Sequence, residues 1–225
     1  MSAIENIRLE NIHIGEFEDV AILLTDAFES NPAYSLIFEK SKLREGLLWL
    51  FKANLYLINR KKIVTTVIKE KDSGKIIGVY SLIPPGRTKN HFSDYLHIGL
   101  PRFIMKFGFR TLFKMTDMDS FNKEVLRKPL QSEVFYYLSM VVIKKEYRGK
   151  GIGSYVIKKC LDKLSKIEDN CYTVALTTQL TENVNFYSKL GFEKIGEEYL
   201  NYKGERYYNW NMKYNLLLKE PSRFS

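Results

Sequence analysis

Val142-Ile143-Lys144-Lys145-Glu146-Tyr147-Arg148-Gly149-Lys150-Gly151-Ile152-Gly153-Ser154 joins an apolar run to a helix-like stretch through three glycines at alternate positions. The run before it, Phe135 to Ile143, reads as a strand suited to a buried, central place in a sheet. After it, Val156, Ile157, Cys160, Leu161 and Leu164 recur at helical spacing from Tyr155 to Ile167. Strand, glycine turn, helix is the layout in which successive backbone N–H groups converge on an anion at a helix N-terminus, and a β-carbon would block the close approach. It is not a P-loop, because Ile152 and Gly153 follow Gly151 where Lys and Ser or Thr are required, and it is not GxGxxG, because Tyr155-Val156 stand where the last glycine would fall.

Working outward, Ile7 to Ile12 reads as a strand and Glu18 to Phe28 as an amphipathic helix, which Asn31-Pro32 should stop. Lys42 to Asn59 fits a second helix. Ile63 to Lys69 and Lys75 to Ile83 flank the turn cluster Lys71-Asp72-Ser73-Gly74 and predict an antiparallel hairpin, ended by Pro84-Pro85-Gly86. The stretch from about 92 to 130 reads as a helical insert, aromatic and basic over Leu100 to Met115. Downstream, Tyr172 to Thr178 is a strand, Glu182 to Leu190 a short helix closed by Gly191, and Phe192 to Leu200 and Tyr207 to Tyr214 are two further strands. Alternating elements with hairpins in both halves define a mixed α/β chain, expected as one domain over 1–225.

The 225 residues are 45% hydrophobic and 27% charged, enough to bury a core. The formal charge of +9 suits an anionic partner. The basic residues are spread along the chain, and Lys144, Lys145, Arg148 and Lys150 crowd the glycine turn, which favours a phosphorylated cofactor over nucleic acid. Two cysteines, Cys160 and Cys171, without a CxxC pair, read as core or surface thiols in a reducing compartment. No cluster of His, Cys, Asp and Glu has metal-ligand spacing. The N-terminus lacks a basic region followed by an apolar stretch, and no apolar run approaches a membrane span, so a cytoplasmic protein without a membrane partner is expected.

Arg148, Gly151 and Gly153 stand at the fixed positions of [RQ]xxGx[GA], and about 30 residues on, Phe186-Tyr187-Ser188-Lys189-Leu190-Gly191-Phe192 is an FYxxxGF string. In order and spacing these resemble the two cofactor motifs of the GNAT superfamily of N-acetyltransferases. Lys145 departs from the proline that many members carry three residues before the arginine. More weakly, Asp26-Ala27-Phe28-Glu29-Ser30-Asn31-Pro32 and Leu82-Ile83-Pro84-Pro85-Gly86 are similar to strings in members of the puromycin N-acetyltransferase type.

The resemblance implies a mostly antiparallel sheet of about seven strands, splayed between the fourth and fifth and flanked by helices. It implies acetyl-CoA as cosubstrate and a primary amine of a small molecule or peptide as acceptor. Backbone groups of Met140, Val141, Val142 and Ile143 would line the pantetheine, with the Met140 or Val141 amide facing the acetyl oxygen. The amides of Arg148, Gly149, Lys150, Gly151, Ile152, Gly153 and Ser154 would hold the pyrophosphate. Tyr187 matches the tyrosine that in many members lies near the sulfur, where a phenol can protonate the leaving group. Asn183 either caps its helix or touches the coenzyme. The strand Phe135 to Ile143 holds no carboxylate, which leaves Glu133, just before it, as the nearest candidate base; His91 and His97 receive no role. An alternative is a module of the same fold that binds CoA without transfer and contacts nucleic acid. The acyl length and the oligomeric state, monomer or homodimer, are not encoded in these motifs.

Overall fold

The computed structural model describes residues 3–86, 92–167, 170–202 and 204–218; His91 lies outside them. β1 (Ile7–Asn11) leads into α1 (Phe17–Phe28), the short α2 (Pro32–Ser35) and α3 (Leu43–Arg60). Asn31-Pro32 both ends one helix and begins the next. The Asn31 Oδ1 accepts from the Ala33 amide at 3.0 Å, and Pro32 occupies the first helical position, where a missing N–H leaves nothing unpaired. β2 (Thr65–Glu70) and β3 (Ile76–Ile83) form the expected hairpin. β2 starts two residues later than the β-branched run suggests, after a tight turn at Lys62 (φ 54°).

The insert is α4 (Phe92–His97) and α5 (Leu100–Leu130), the latter broken at Gly108 (φ 80°, ψ 160°). Then follow β4 (Phe135–Ile143), α6 (Ile152–Leu164), β5 (Thr173–Thr178), α7 (Thr181–Ser188), β6 (Glu193–Tyr202) and β7 (Glu205–Asn215). All seven strands make one sheet in the order β1-β2-β3-β4-β5-β7-β6. Every neighbouring pair is antiparallel except β4 and β5, which are parallel. This is the mixed, mostly antiparallel seven-stranded sheet the resemblance implied.

Helices cover both faces. α6 and α7 lay Val156, Ile157, Leu161 and Val184 on Tyr136, Leu138, Val174 and Met212. On the other face α1, α3 and α5 place Val20, Leu24, Leu47, Phe51, Phe103 and Met118 against Val67 and Val79. Side chains of a regular strand alternate between faces, yet in β4 Tyr136 and Leu138 join the first layer while Met140 and Val142 join the second. The register explains it. Val79 pairs with Val142 but Ser81 with Ser139, so between them one residue on β3, Tyr80, faces two on β4, Met140 and Val141. The extra residue is absorbed at Met140, whose φ is +53°. This is a β-bulge, which locally disrupts the ladder and re-aims the backbone.

Candidate active site

The bulge lies where the sheet comes apart. β4 pairs with β5 only through Phe135–Thr173, Tyr136–Val174 and Tyr137–Ala175. Leu138 to Ile143 and Leu176 to Thr178 continue past the last pair without bonding each other, so a gap opens in mid-sheet. Its β4 edge is Met140 to Ile143.

The glycine turn stands at the end of that edge. After a single turn of 3-10 helix (Lys145–Tyr147), Arg148 is extended and Gly149 and Gly151 take φ of +75° and +78°. Those angles favour glycine, since a β-carbon crowds the backbone there. A β-carbon on Gly149 would meet nothing within 4 Å, and one on Gly151 only Ile4 Cδ1 at 3.6 Å, so the concave side of the turn is open. α6 begins at Ile152, and the amides of Ile152, Gly153 and Ser154 precede the first intrahelical bond, made by Tyr155 to the Gly151 carbonyl at 3.0 Å. Free donors, an open concavity and a helix N-terminus together fit a pyrophosphate. The Arg148 Nε donates to the Ile143 carbonyl at 2.9 Å, fastening the turn to the strand. Lys150 Nζ lies 5.1 Å over the Tyr147 ring, whose hydroxyl donates to Glu70 at 3.2 Å.

α7 brings the second motif to the same place. The Phe186 ring packs on Gly153, 3.3 Å from where a β-carbon would be. Tyr187 lies between Phe186 and Phe192, at ring separations of 5.0 and 5.4 Å, and is buried. Burial pushes its phenol well above the ordinary tyrosine range, with Tyr137 across the gap adding to the effect. The group therefore stays protonated. Its hydroxyl forms no hydrogen bond among the described residues, which is unusual for a buried polar atom and leaves a donor for a ligand.

Two residues sit differently from the sequence reading. Glu133 precedes the paired end of β4, about 23 Å of extended chain from the bulge. There it accepts from Lys213 Nζ at 2.8 Å and Thr173 Oγ1 at 3.1 Å. The Lys213 bond holds its carboxyl below the usual range, so Glu133 is a tied anion remote from the gap. Asn183 does not cap α7, whose N-cap is Leu180; it donates instead to Thr178 Oγ1 at 3.0 Å, at the end of β5. Cys160 is a core thiol pushed up to about 11 by burial, and neither cysteine is in a disulfide.

Sequence reasoning missed the other side of the gap. Tyr34 packs edge-on to Phe28 and Phe51 at 5.9 and 5.8 Å. Burial raises its phenol, and Tyr137 and Asp119 of α5 lie near enough to raise it further. Behind them runs a chain of side-chain amides, buried except at the half-buried Gln179. Asn31 Nδ2 donates to Gln179 Oε1 (3.0 Å), Gln179 Nε2 to Asn209 Oδ1 (2.9 Å), Asn209 Nδ2 to Asn211 Oδ1 (3.1 Å) and Asn211 Nδ2 to the Val125 carbonyl (3.3 Å). Its ends are the Ala33 N–H, which only donates, and the Val125 carbonyl, which only accepts, so every amide orientation between is fixed. The chain ties the α1–α2 connection to the β5–α7 loop, β7 and α5.

Residues 127–213 match the family model described as the acetyltransferase (GNAT) domain. A probable serine/threonine-protein kinase of Dictyostelium discoideum is 30% identical over 133 residues, 58% of this chain and 14% of that protein; the chain thus spans a small part of the curated relative's length. Among solved structures, a histone acetyltransferase HPA2 and related acetyltransferase from Corynebacterium glutamicum superposes with a TM-score of 0.60 at 17% identity, covering 92% of this chain and 95% of that one. A spermidine N-acetyltransferase from Vibrio cholerae in complex with CoA and spermine does so with 0.54 at 15%, covering 95% and 97%. The fold is that of the acyl-CoA N-acyltransferases, and residues 127–213 are similar to the GNAT acetyltransferase domain. The cosubstrate of that family is acetyl-CoA, and an open glycine cradle beside an unpaired strand edge fits it.

Proposed function

We propose that this chain, as one domain, is an N-acetyltransferase that transfers the acetyl group of acetyl-CoA to a primary amine of a small molecule or peptide. The observation that carries this is the coincidence of three features: a gap between β4 and β5, a β4 bulge at its edge, and a buried Tyr187 hydroxyl without a hydrogen-bond partner among the described residues. Acetyl-CoA supplies an activated thioester carbonyl. The amides from Gly149 to Ser154 bind its pyrophosphate, and the free β4 edge from Met140 to Ile143 orients the pantetheine. The Met140 or Val141 amide, re-aimed by the bulge, faces the negative charge that develops on the acetyl oxygen. Tyr187 donates its proton to the departing sulfur.

The amine approaches from the opposite face, where Tyr34 and Tyr137 gather and Asp119 lends negative charge. Asp119 also bonds Lys123 at 2.5 Å, which tempers that charge. In this reading neither Glu133 nor a histidine serves as base, and the ammonium loses its proton to solvent before attack.

Calorimetric titration with acetyl-CoA tests the donor half: no binding at high micromolar concentration ends the proposal. Thiol release against polyamines, amino acids, antibiotics and peptides tests the acceptor half. Binding without release from any amine would leave a CoA-binding module.

A further inference from the structure

Along α5 the inner and outer sides have different fates. Inside, Phe103 packs on Trp49 and Phe107 at ring separations of 4.1 and 4.8 Å, and Phe107 lies 5.7 Å from Phe38. Outside, Met105, Phe109 and Phe113 are 88%, 62% and 67% exposed. Core packing has already been satisfied by their neighbours, so these three large apolar side chains are not left over from it.

Each is followed directly by a cation, Lys106, Arg110 and Lys114, and Arg102 extends the basic row one turn further. Positions three or four apart share a face within an unbroken helix, so Met105 stands beside Arg102 before Gly108, and Phe109 and Phe113 stand beside Arg110 after it. The break at Gly108 falls within this face, and residues on both sides of it stay exposed. No Asp or Glu occurs from Leu100 to Thr116. Lys106 is paired with Glu45 of α3, and Lys114 Nζ reaches the Leu36 carbonyl at 3.5 Å. Arg102 and Arg110 have no carboxylate partner among the described residues.

Exposed bulky apolar side chains beside two arginines that have no carboxylate partner among the described residues match the boundary between headgroups and acyl chains of an anionic bilayer. Nucleic acid would satisfy the cations and offer no apolar phase for Met105. We propose that the outer face of α5 docks this protein on an anionic membrane surface, with Met105, Phe109 and Phe113 at the acyl boundary and Arg102 and Arg110 against lipid phosphates. This is in-plane attachment; no described helix is long and apolar enough to cross a membrane.

The test is flotation of the full chain with vesicles of phosphatidylcholine containing about 30% phosphatidylserine, against phosphatidylcholine alone. Binding to the anionic vesicles, weakened by salt and reduced about tenfold in Phe109→Ser/Phe113→Ser, is expected. Arg102→Gln/Arg110→Gln, which leaves the apolar row intact, should lower binding and its salt dependence together, so a folding defect in the first variant cannot decide the matter. Absence of vesicle binding, or equal binding to both compositions, overturns the proposal. So does preferential binding of single-stranded RNA, or a dimer that the Phe variant dissociates, since either gives the face another occupant.

Discussion

The Phe186 ring stands 3.3 Å from the point a β-carbon would occupy on Gly153, so the helix after the glycine turn and the helix carrying Tyr187 are held in register by one missing methyl group. In Gly153→Ala that methyl must displace the ring by a few tenths of an ångström, and Tyr187 is next in sequence. Alanine favours the helix by about 1 kcal/mol over glycine, which offsets the crowding in a urea titration. Turnover should nonetheless fall several-fold, and Gly153→Val should fall further. Undiminished turnover in both variants would show that the contact does not position Tyr187.

Tyr187→Phe separates chemistry from packing. The hydroxyl lost has no partner among the described residues, so removing it should leave stability unchanged or raise it by about 1 kcal/mol. Turnover should drop about 100-fold, a usual size for loss of a general acid, with acetyl-CoA affinity little altered. Equal turnover for the two proteins rejects the acid role.

Gly151→Ala should weaken acetyl-CoA binding about tenfold by calorimetry and lower stability by about 1–2 kcal/mol, the cost of a side chain in the left-handed region. A variant that loses stability and keeps full affinity would mean that the turn shapes the chain without cradling the pyrophosphate.

Asn211 accepts from Thr177 and Asn209 and donates to Val125. Asn211→Ala leaves these buried groups without a partner and should cost about 2–3 kcal/mol. The KM for the amine should rise while that for acetyl-CoA holds, because the chain of amides ends at the α1–α2 connection, on the acceptor side. Asn211→Asp, which sets a carboxylate against the Val125 carbonyl, should be worse. Equal effects on both KM values would make the chain a general scaffold.

Glu16 is partly buried, which by itself raises its carboxyl; the bond from Lys69, the His13 amide and the Lys69 charge reverse that, and the net shift is downward. Its contribution to stability is therefore present above the ordinary carboxyl range and lost as pH falls through the lowered value. Lys69→Met should flatten the acid limb of the stability-against-pH curve below about pH 4.5 relative to the parent. An unchanged limb removes Glu16 from the account.

What the sequence made legible was local. The alternate glycines and FYxxxGF are contiguous strings, and hydrophobic periodicity marked all seven strands. The β4 bulge was illegible because Ser139-Met140-Val141 carries no glycine and reads as regular strand; only the pairing with β3 forces the positive φ. Tyr34, Asp119 and the amide chain were equally hidden, since Asn31 and Gln179 are 148 residues apart. Glu133 looked available from its nearness in sequence to β4. Lys213, which holds it, comes from the far end of the chain.

Three residue pairs join the two halves of the sheet, and α5 crosses above the seam. Leu126 and Leu130 cluster with Ala175, Phe135 and Ile195, and Asn122 accepts from the Tyr207 hydroxyl at 2.6 Å, while Phe103 packs on α3. The aperture between the halves is thus set by a strut as much as by a ladder of hydrogen bonds. Substitutions under that strut, far from any reacting atom, should retune which acyl chain and which amine fit through.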